Sequence, residues 1–212
     1  MNVQKIFIIG LPRTATTSLC VACLELGFKT AHTAYTNAAL SNAQVIADTP
    51  IFSEYPKLDH KFPGAKFIYL QRDLELWLPS IKQLLNRMSK NLLRTDGGFN
   101  PHLKKSYCEV FSPFTLPNIN NDEFLIHCYR QHERKIKQYF LDRPQDLLSI
   151  DVAKNDSYQK LVNFLESEPK NVNEQNFKRI NIAGKVTAWN DIKHPNKIAS
   201  TTLGKIDKLL FE

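Results

Sequence analysis

The residues best suited to chemistry lie in two short stretches. The first is Gly10-Leu11-Pro12-Arg13-Thr14-Ala15-Thr16-Thr17-Ser18-Leu19, which follows the apolar run Ile6–Ile9. A buried strand feeding a loop that opens a helix gathers free amides and the positive end of a helix dipole, and so favours an anion. Arg13 adds a permanent positive charge, and Thr14, Thr16, Thr17 and Ser18 add hydroxyl donors. An ordinary capped helix needs one hydroxyl and no arginine, so the excess points to a phosphate-like ligand. The second stretch is Arg72-Asp73, at the end of the apolar run Phe67–Leu70, with Ser80 following in the next helical segment. Arginine grips a phosphate in a bidentate manner, and a serine hydroxyl one element later can reach the same group.

The first loop is neither of the common nucleotide loops. Walker A requires a second glycine followed by lysine, whereas Ala15 and Thr16 stand at those places. A dinucleotide fingerprint is missing as well. Both stretches need a strand behind them and a helix ahead. The spacing of apolar residues supplies these: a strand over Val3–Ile9, a helix over Thr16–Leu26 stopped by Gly27, and short strands over Val45–Ala47 and Phe67–Leu70. A long helix over Leu74–Leu93 follows, then a loop-rich stretch over Thr95–Asn121. Beyond it lie a helix over Phe124–Phe140, a strand over Leu147–Ile150 and a helix over Tyr158–Leu165. Alternating strands and helices predict an α/β fold, a central parallel sheet with helices on both faces, in one domain spanning residues 1–212.

The loop Leu11, Pro12, Arg13, Thr14, Ala15, Thr16, Thr17 and Ser18 resembles the 5′-phosphosulfate loop of sulfotransferases that use 3′-phosphoadenosine 5′-phosphosulfate (PAPS). Arg72-Asp73 followed by Ser80 is similar to that family's 3′-phosphate site. The resemblance implies a three-layer P-loop-type fold and sulfuryl transfer from PAPS to a hydroxyl or amine, leaving 3′,5′-phosphoadenosine, without a metal. It gives Arg13 an electrostatic role at the bridging oxygen and places the 5′-phosphate on Thr16, Thr17 and the loop amides. Lys178, Arg179 and Lys185, which flank Gly184, are the candidates for the family's C-terminal contact to the 3′-phosphate. The general base is left between His32, whose unperturbed pKa of about 6.5 suits proton transfer, and Asp48, at the end of a strand. Ala15 stands where the family usually has glycine; a methyl group narrows the approach of backbone to phosphate. Other readings are a kinase with an atypical loop and a domain that binds PAPS without transfer. The kinase needs a loop lysine and Mg²⁺ ligands, and the sequence offers no persuasive metal cluster.

Composition frames these motifs. The chain has 212 residues, 42% hydrophobic and 23% charged, enough for a substantial core and too apolar for disorder. Its net charge of +7 favours an anionic partner. The charge concentrates in two segments, Ser80–Ser106 and Gln175–Ile206, each with six basic residues and one acidic. Two such segments suit a compact polyanionic cofactor better than a nucleic-acid track, and no nucleic-acid motif accompanies them. The acceptor is left open among small molecules, carbohydrates, lipids and peptides. Four cysteines do not make a disulfide framework, and Cys20 and Cys23 read as buried thiols on a core helix. No run reaches the roughly 18–20 apolar residues that span a bilayer, and no signal-peptide core is present, so a cytoplasmic location is expected.

Overall fold

The computed structural model describes residues 4–167, 177 and 189–211. Five parallel strands form its centre: β1 Ile6–Ile8, β2 Thr30–Ala31, β3 Val45–Ile46, β4 Lys66–Leu70 and β5 Leu147–Ile150. Their spatial order is β2-β3-β1-β4-β5. The helices are α1 Thr16–Glu25, α2 Asn37–Asn42, α3 Ile51–Lys61, α4 Leu74–Leu93, α5 Pro101–Val110, α6 Leu116–Ile119, α7 Asp122–Tyr139 and α8 Ser157–Phe164. Registers such as Phe7 beside Phe67 and Ile8 beside Ile68 place β1 and β4 side by side. The connections that leave the neighbouring strands β1 and β4 run in opposite directions across the sheet, to β2 and to β5. Ligands bind at such a switch point, outside the carboxyl ends of the strands.

Strand alternation divides the core. Phe7, Ile9, Ile46, Phe67 and Tyr69 point to one face, where α2, α3 and α7 cover them. Ile6, Ile8, Val45, Ile68, Leu70 and Ile150 point to the other, against α1 and α8. Strands buried on both faces read as continuous apolar runs, which is why β1 and β4 are visible in the sequence. A third cluster, around Leu11, Trp77, Leu85, Tyr107 and Phe111, joins α4, α5, α6 and α7 beside the first loop.

Several boundaries differ from the sequence reading. The stretch 95–121 contains two helices: Asn100 caps α5 by accepting the Leu103 amide, Pro101 occupies its first turn, and Thr115 caps α6. Cap and proline are a start signal that the neighbouring glycines and prolines obscure. The two-residue strand β2 and the helices α2 and α3 are too short, or too polar, to stand out by periodicity. The segment 189–211 covers the outer edge of β2. Thr30 donates its amide to Asn196 O and accepts from Ile198 at 2.9 Å each, and Tyr35 donates to Ser200 O at 2.8 Å. An otherwise open sheet edge is thereby paired. Among the described residues, no helix is long and apolar enough to cross a membrane.

Helix α7 braces the sheet from below. His132, 6% exposed, donates Nε2–H to the Ile9 carbonyl at 2.9 Å, since a carbonyl can only accept. Burial lowers its pKa to about 4. The folded value lies below the unfolded value of about 6.5, so this contribution to stability is complete above pH 6.5 and declines as pH falls toward 4. The two values predict a loss of about 2 kcal/mol between pH 7 and 5 from this group alone. His132→Gln keeps a donor and removes the titration. Urea unfolding at both pH values is expected to show a smaller acid-side loss for the variant; equal losses would rule the assignment out.

Candidate functional site

The carboxyl ends of β1, β2, β3 and β4 each deliver one of the residues singled out from sequence. After β1 the chain turns through Gly10. A Cβ there would lie 2.5 Å from Leu70 Cβ and 2.7 Å from Thr14 Oγ1, so only glycine lets the loop leave the sheet this close to β4. Arg13 and Ala15 both take left-handed backbone, each at φ 72°. Thr14 is buried, and its hydroxyl donates to Leu11 O at 2.7 Å, so it stitches the loop rather than facing outward. The first helical bond of α1 runs from Leu19 N to Ala15 O. The amides of Thr16, Thr17 and Ser18 therefore precede the hydrogen-bonded ladder, and α1 has no side-chain cap and no acidic residue in its first turn. This is an uncapped, electropositive helix start.

The second motif folds onto the first. Asp73 is the cap of α4, accepting from Glu75 N at 2.8 Å and Leu76 N at 3.3 Å. Arg72 is turned the other way and donates Nη1–H to the Arg13 carbonyl at 2.5 Å. Arg13 in turn donates Nε–H to Ser80 Oγ at 2.7 Å. Burial, then the nearby guanidiniums of Arg72 and Arg87, pull the Arg13 pKa below its ordinary value. A bound anion would relieve that repulsion. Trp77, fully buried one turn before Ser80, donates Nε1–H to Pro12 O at 3.0 Å. Tyr129 of α7 accepts the Arg72 amide at 2.9 Å and donates to the Arg72 carbonyl at 3.2 Å.

His32 follows β2 and Asp48 follows β3, and the sheet brings them together. His32 Nε2 lies 3.2 Å from Thr16 Oγ1, 3.0 Å from Thr17 Oγ1 and 3.9 Å from Asp48 Oδ2. Burial lowers the His32 pKa against the opposing pull of Asp48, so the ring is neutral at pH 7. Asp48 occupies left-handed backbone at φ 54°, and its Oδ1 accepts the Thr49 amide at 2.8 Å. Trp189 stacks on His32 with ring centroids 5.5 Å apart. Lys197 Nζ fixes that turn, donating to Trp189 O at 2.6 Å and Ile192 O at 2.8 Å.

Tyr35, Tyr107, Tyr129, Trp77 and Trp189 escaped the sequence reading. Burial raises the Tyr35 pKa to about 12 and carries that of Tyr107 well above its ordinary value, so both stay protonated donors. Tyr107 lies in the stretch read as loop; Leu103, Tyr107 and Val110 behind the Asn100-Pro101 start give it a helical signal. Nothing local marks Tyr129 or Trp77, whose partners are main-chain atoms remote in sequence. Lys178, Arg179 and Lys185 lie outside the described residues. His60 and His127 are exposed, and His102 is buried with Nε2 2.6 Å from Asp207 O. Cys20 and Cys23 are buried on α1, and burial raises the Cys23 thiol to about 12. Among the described residues, no group of His, Cys, Asp and Glu is arranged to hold a metal ion.

The parallel sheet thus brings the first loop and the fourth-strand motif to one place, joined by Arg13. The family model described as a sulfotransferase domain matches residues 5–39 and 33–186, and the chain belongs to that family. No curated protein matches the sequence significantly.

Ala15 tests the loop directly. Its left-handed backbone costs an alanine roughly 1–2 kcal/mol and a glycine almost nothing. Ala15→Gly is expected to raise stability by about 1 kcal/mol in thermal or urea unfolding, after the added flexibility of glycine is subtracted. A glycine variant less stable than the parent would show that the methyl group packs favourably.

Proposed function

We propose that the protein transfers a sulfuryl group from PAPS to a hydroxyl or amine of an acceptor. The observation that carries this reading is the bridge from Arg72 through the Arg13 carbonyl and the Arg13 side chain to Ser80. It makes one site of two anion motifs, as a ligand with separate 5′- and 3′-phosphates requires. The donor groups fit: three unladdered amides, two threonine hydroxyls and two guanidiniums, without a carboxylate in hydrogen-bond contact with either guanidinium among the described residues. When bound, PAPS supplies the sulfuryl group and its adenosine phosphate departs, the electron pair of the broken S–O bond remaining on the 5′-phosphate oxygen.

The chain's own residues position and stabilise. Thr16, Thr17 and the first amides of α1 hold the 5′-phosphate, while Arg72 and Ser80 hold the 3′-phosphate. Arg13 lies between them, where its charge offsets the negative charge that develops on the bridging oxygen. Arginine is not a proton donor at neutral pH, so this role is electrostatic. Asp48 takes the proton as the acceptor oxygen or nitrogen bonds to sulfur. Its Oδ1 is held by Thr49, whereas Oδ2 has no hydrogen bond among the described residues and faces the site. His32, whose Nε2 is engaged with both threonines, is a positioning residue for the 5′-phosphate hydroxyls.

Three measurements test this. 3′,5′-Phosphoadenosine is expected to raise the melting temperature selectively over ATP with Mg²⁺; a response to ATP with Mg²⁺ alone would overturn the reading in favour of a kinase. Arg72→Ala is expected to weaken 3′,5′-phosphoadenosine binding about 10- to 100-fold, the value of one charged hydrogen bond. Asp48→Asn is expected to lower kcat by about 100- to 10,000-fold with nucleotide affinity retained, whereas His32→Ala acts mainly on donor KM. An Asp48→Asn enzyme with full kcat would remove Asp48 as the base.

A further inference from the structure

The basic segment Ser80–Ser106 leaves one arginine unexplained. Lys82 pairs with Asp122 at 2.6 Å, Arg94 with Asp96 at 3.1 Å, and Lys105 with Glu54. Lys104 donates to the carbonyls of Arg94 and Gly97. These cations hold the structure together. Arg87 and Lys90 are exposed and, among the described residues, neither has a hydrogen bond or a carboxylate partner; of the two, Arg87 is the one whose charge acts on Arg13.

Its place on α4 is informative. Arg87 stands seven residues beyond Ser80 in a continuous helix. Seven residues are nearly two full turns, so the two side chains share a face, about 10 Å apart along the axis. Ser80 is the hydroxyl that Arg13 grips. Arg87 is thus displaced from Ser80 along the same face of α4, and α5 packs against this helix. There Tyr107, 4% exposed, packs edge-on against Phe52 with ring centroids 5.8 Å apart. The Tyr107 hydroxyl has no hydrogen-bond partner among the described residues, and the charges of Asp48, Arg13 and Arg87 all act on it. Arg87 and Tyr107 therefore offer an unneutralised guanidinium and a phenolic donor without a partner among the described residues.

We propose that Arg87 and Tyr107 form an anion subsite for the acceptor, so that the preferred acceptor carries a carboxylate, phosphate or sulfate besides the group that is sulfated. This rests on the sulfuryl-transfer reading above. The donor occupies Arg13, Arg72 and Ser80 and leaves Arg87 without a counter-charge. A neutral acceptor leaves the repulsion between Arg13 and Arg87 in place; an anionic one removes it and adds a charge-assisted hydrogen bond.

The test uses the full chain, PAPS and matched acceptor pairs: 4-hydroxyphenylacetate with its amide, 3-hydroxybutyrate with its amide, and glucose 6-phosphate with glucose. The acidic member is expected to have the higher kcat/KM by about 10-fold or more, the value of one charged hydrogen bond. Arg87→Ala is expected to raise its KM by a similar factor, Arg87→Lys to restore part of the loss, and Tyr107→Phe to raise KM to a smaller extent. Affinity for 3′,5′-phosphoadenosine, measured by calorimetry, is expected to be the same in all four proteins. Equal use of neutral and acidic members, transfer to none of them, or loss of nucleotide affinity in Arg87→Ala would each overturn the subsite while leaving the donor reading intact. Failure of the parent protein to bind 3′,5′-phosphoadenosine would overturn both.

Discussion

Two guanidiniums held together with no carboxylate bonded to either, among the described residues, are the constraint on which the site depends. Like charges at this separation repel, and the folded chain must supply neutral acceptors to hold them in place. It does so with a main-chain carbonyl and a serine hydroxyl: Arg72 donates to Arg13 O, and Arg13 donates to Ser80 Oγ. The left-handed turn at Arg13 accompanies a carbonyl placed within reach of Arg72. Lowering of the Arg13 pKa by burial and by its arginine neighbours is the electrostatic expression of the same arrangement. An anion bound at this point would relieve that repulsion.

Such a site needs rigid backing, and α7 supplies it from beneath the sheet. Tyr129 holds both main-chain polar groups of Arg72, and one turn later His132 holds the carbonyl of Ile9. The ends of β1 and β4 are thus fixed to one helix, and with them the origins of both anion motifs. Trp77 adds a third tie through Pro12 O. On the opposite flank the segment 189–211 pairs with β2 and sets Trp189 on the ring of His32. The imidazole is confined between an indole and two threonine hydroxyls, in keeping with a positioning role.

The charge pattern acquires a different meaning once partners are known. In the sequence, Ser80–Ser106 is a block of basic residues that suits a polyanionic cofactor. In the fold, Lys82, Arg94, Lys104 and Lys105 are satisfied by carboxylates or carbonyls, and Arg87 is the residue whose charge reaches Arg13. Net charge counts cations, whereas function depends on which of them lack a counter-charge.

The sequence by itself determined the parallel α/β fold, the two candidate motif stretches and the helices that follow them. Apolar runs buried on both faces, a helix start rich in hydroxyls, and an arginine at a strand end are local signals that one segment can carry. It also brought His32 and Asp48 forward as candidates, the first for an imidazole suited to proton transfer and the second for its place at a strand end. Left-handed backbone at Ala15, the helical nature of α5 and the exposure of Arg87 were not legible, because loop geometry and the pairing of cations depend on neighbours distant in the chain. Only the tertiary structure decided that His32 faces Thr16 and Thr17 while Asp48 Oδ2 has no hydrogen bond among the described residues, and that Arg13 joins Arg72 to Ser80. Those are contacts between the ends of four different strands, and the order β2-β3-β1-β4-β5 alone sets which ends meet.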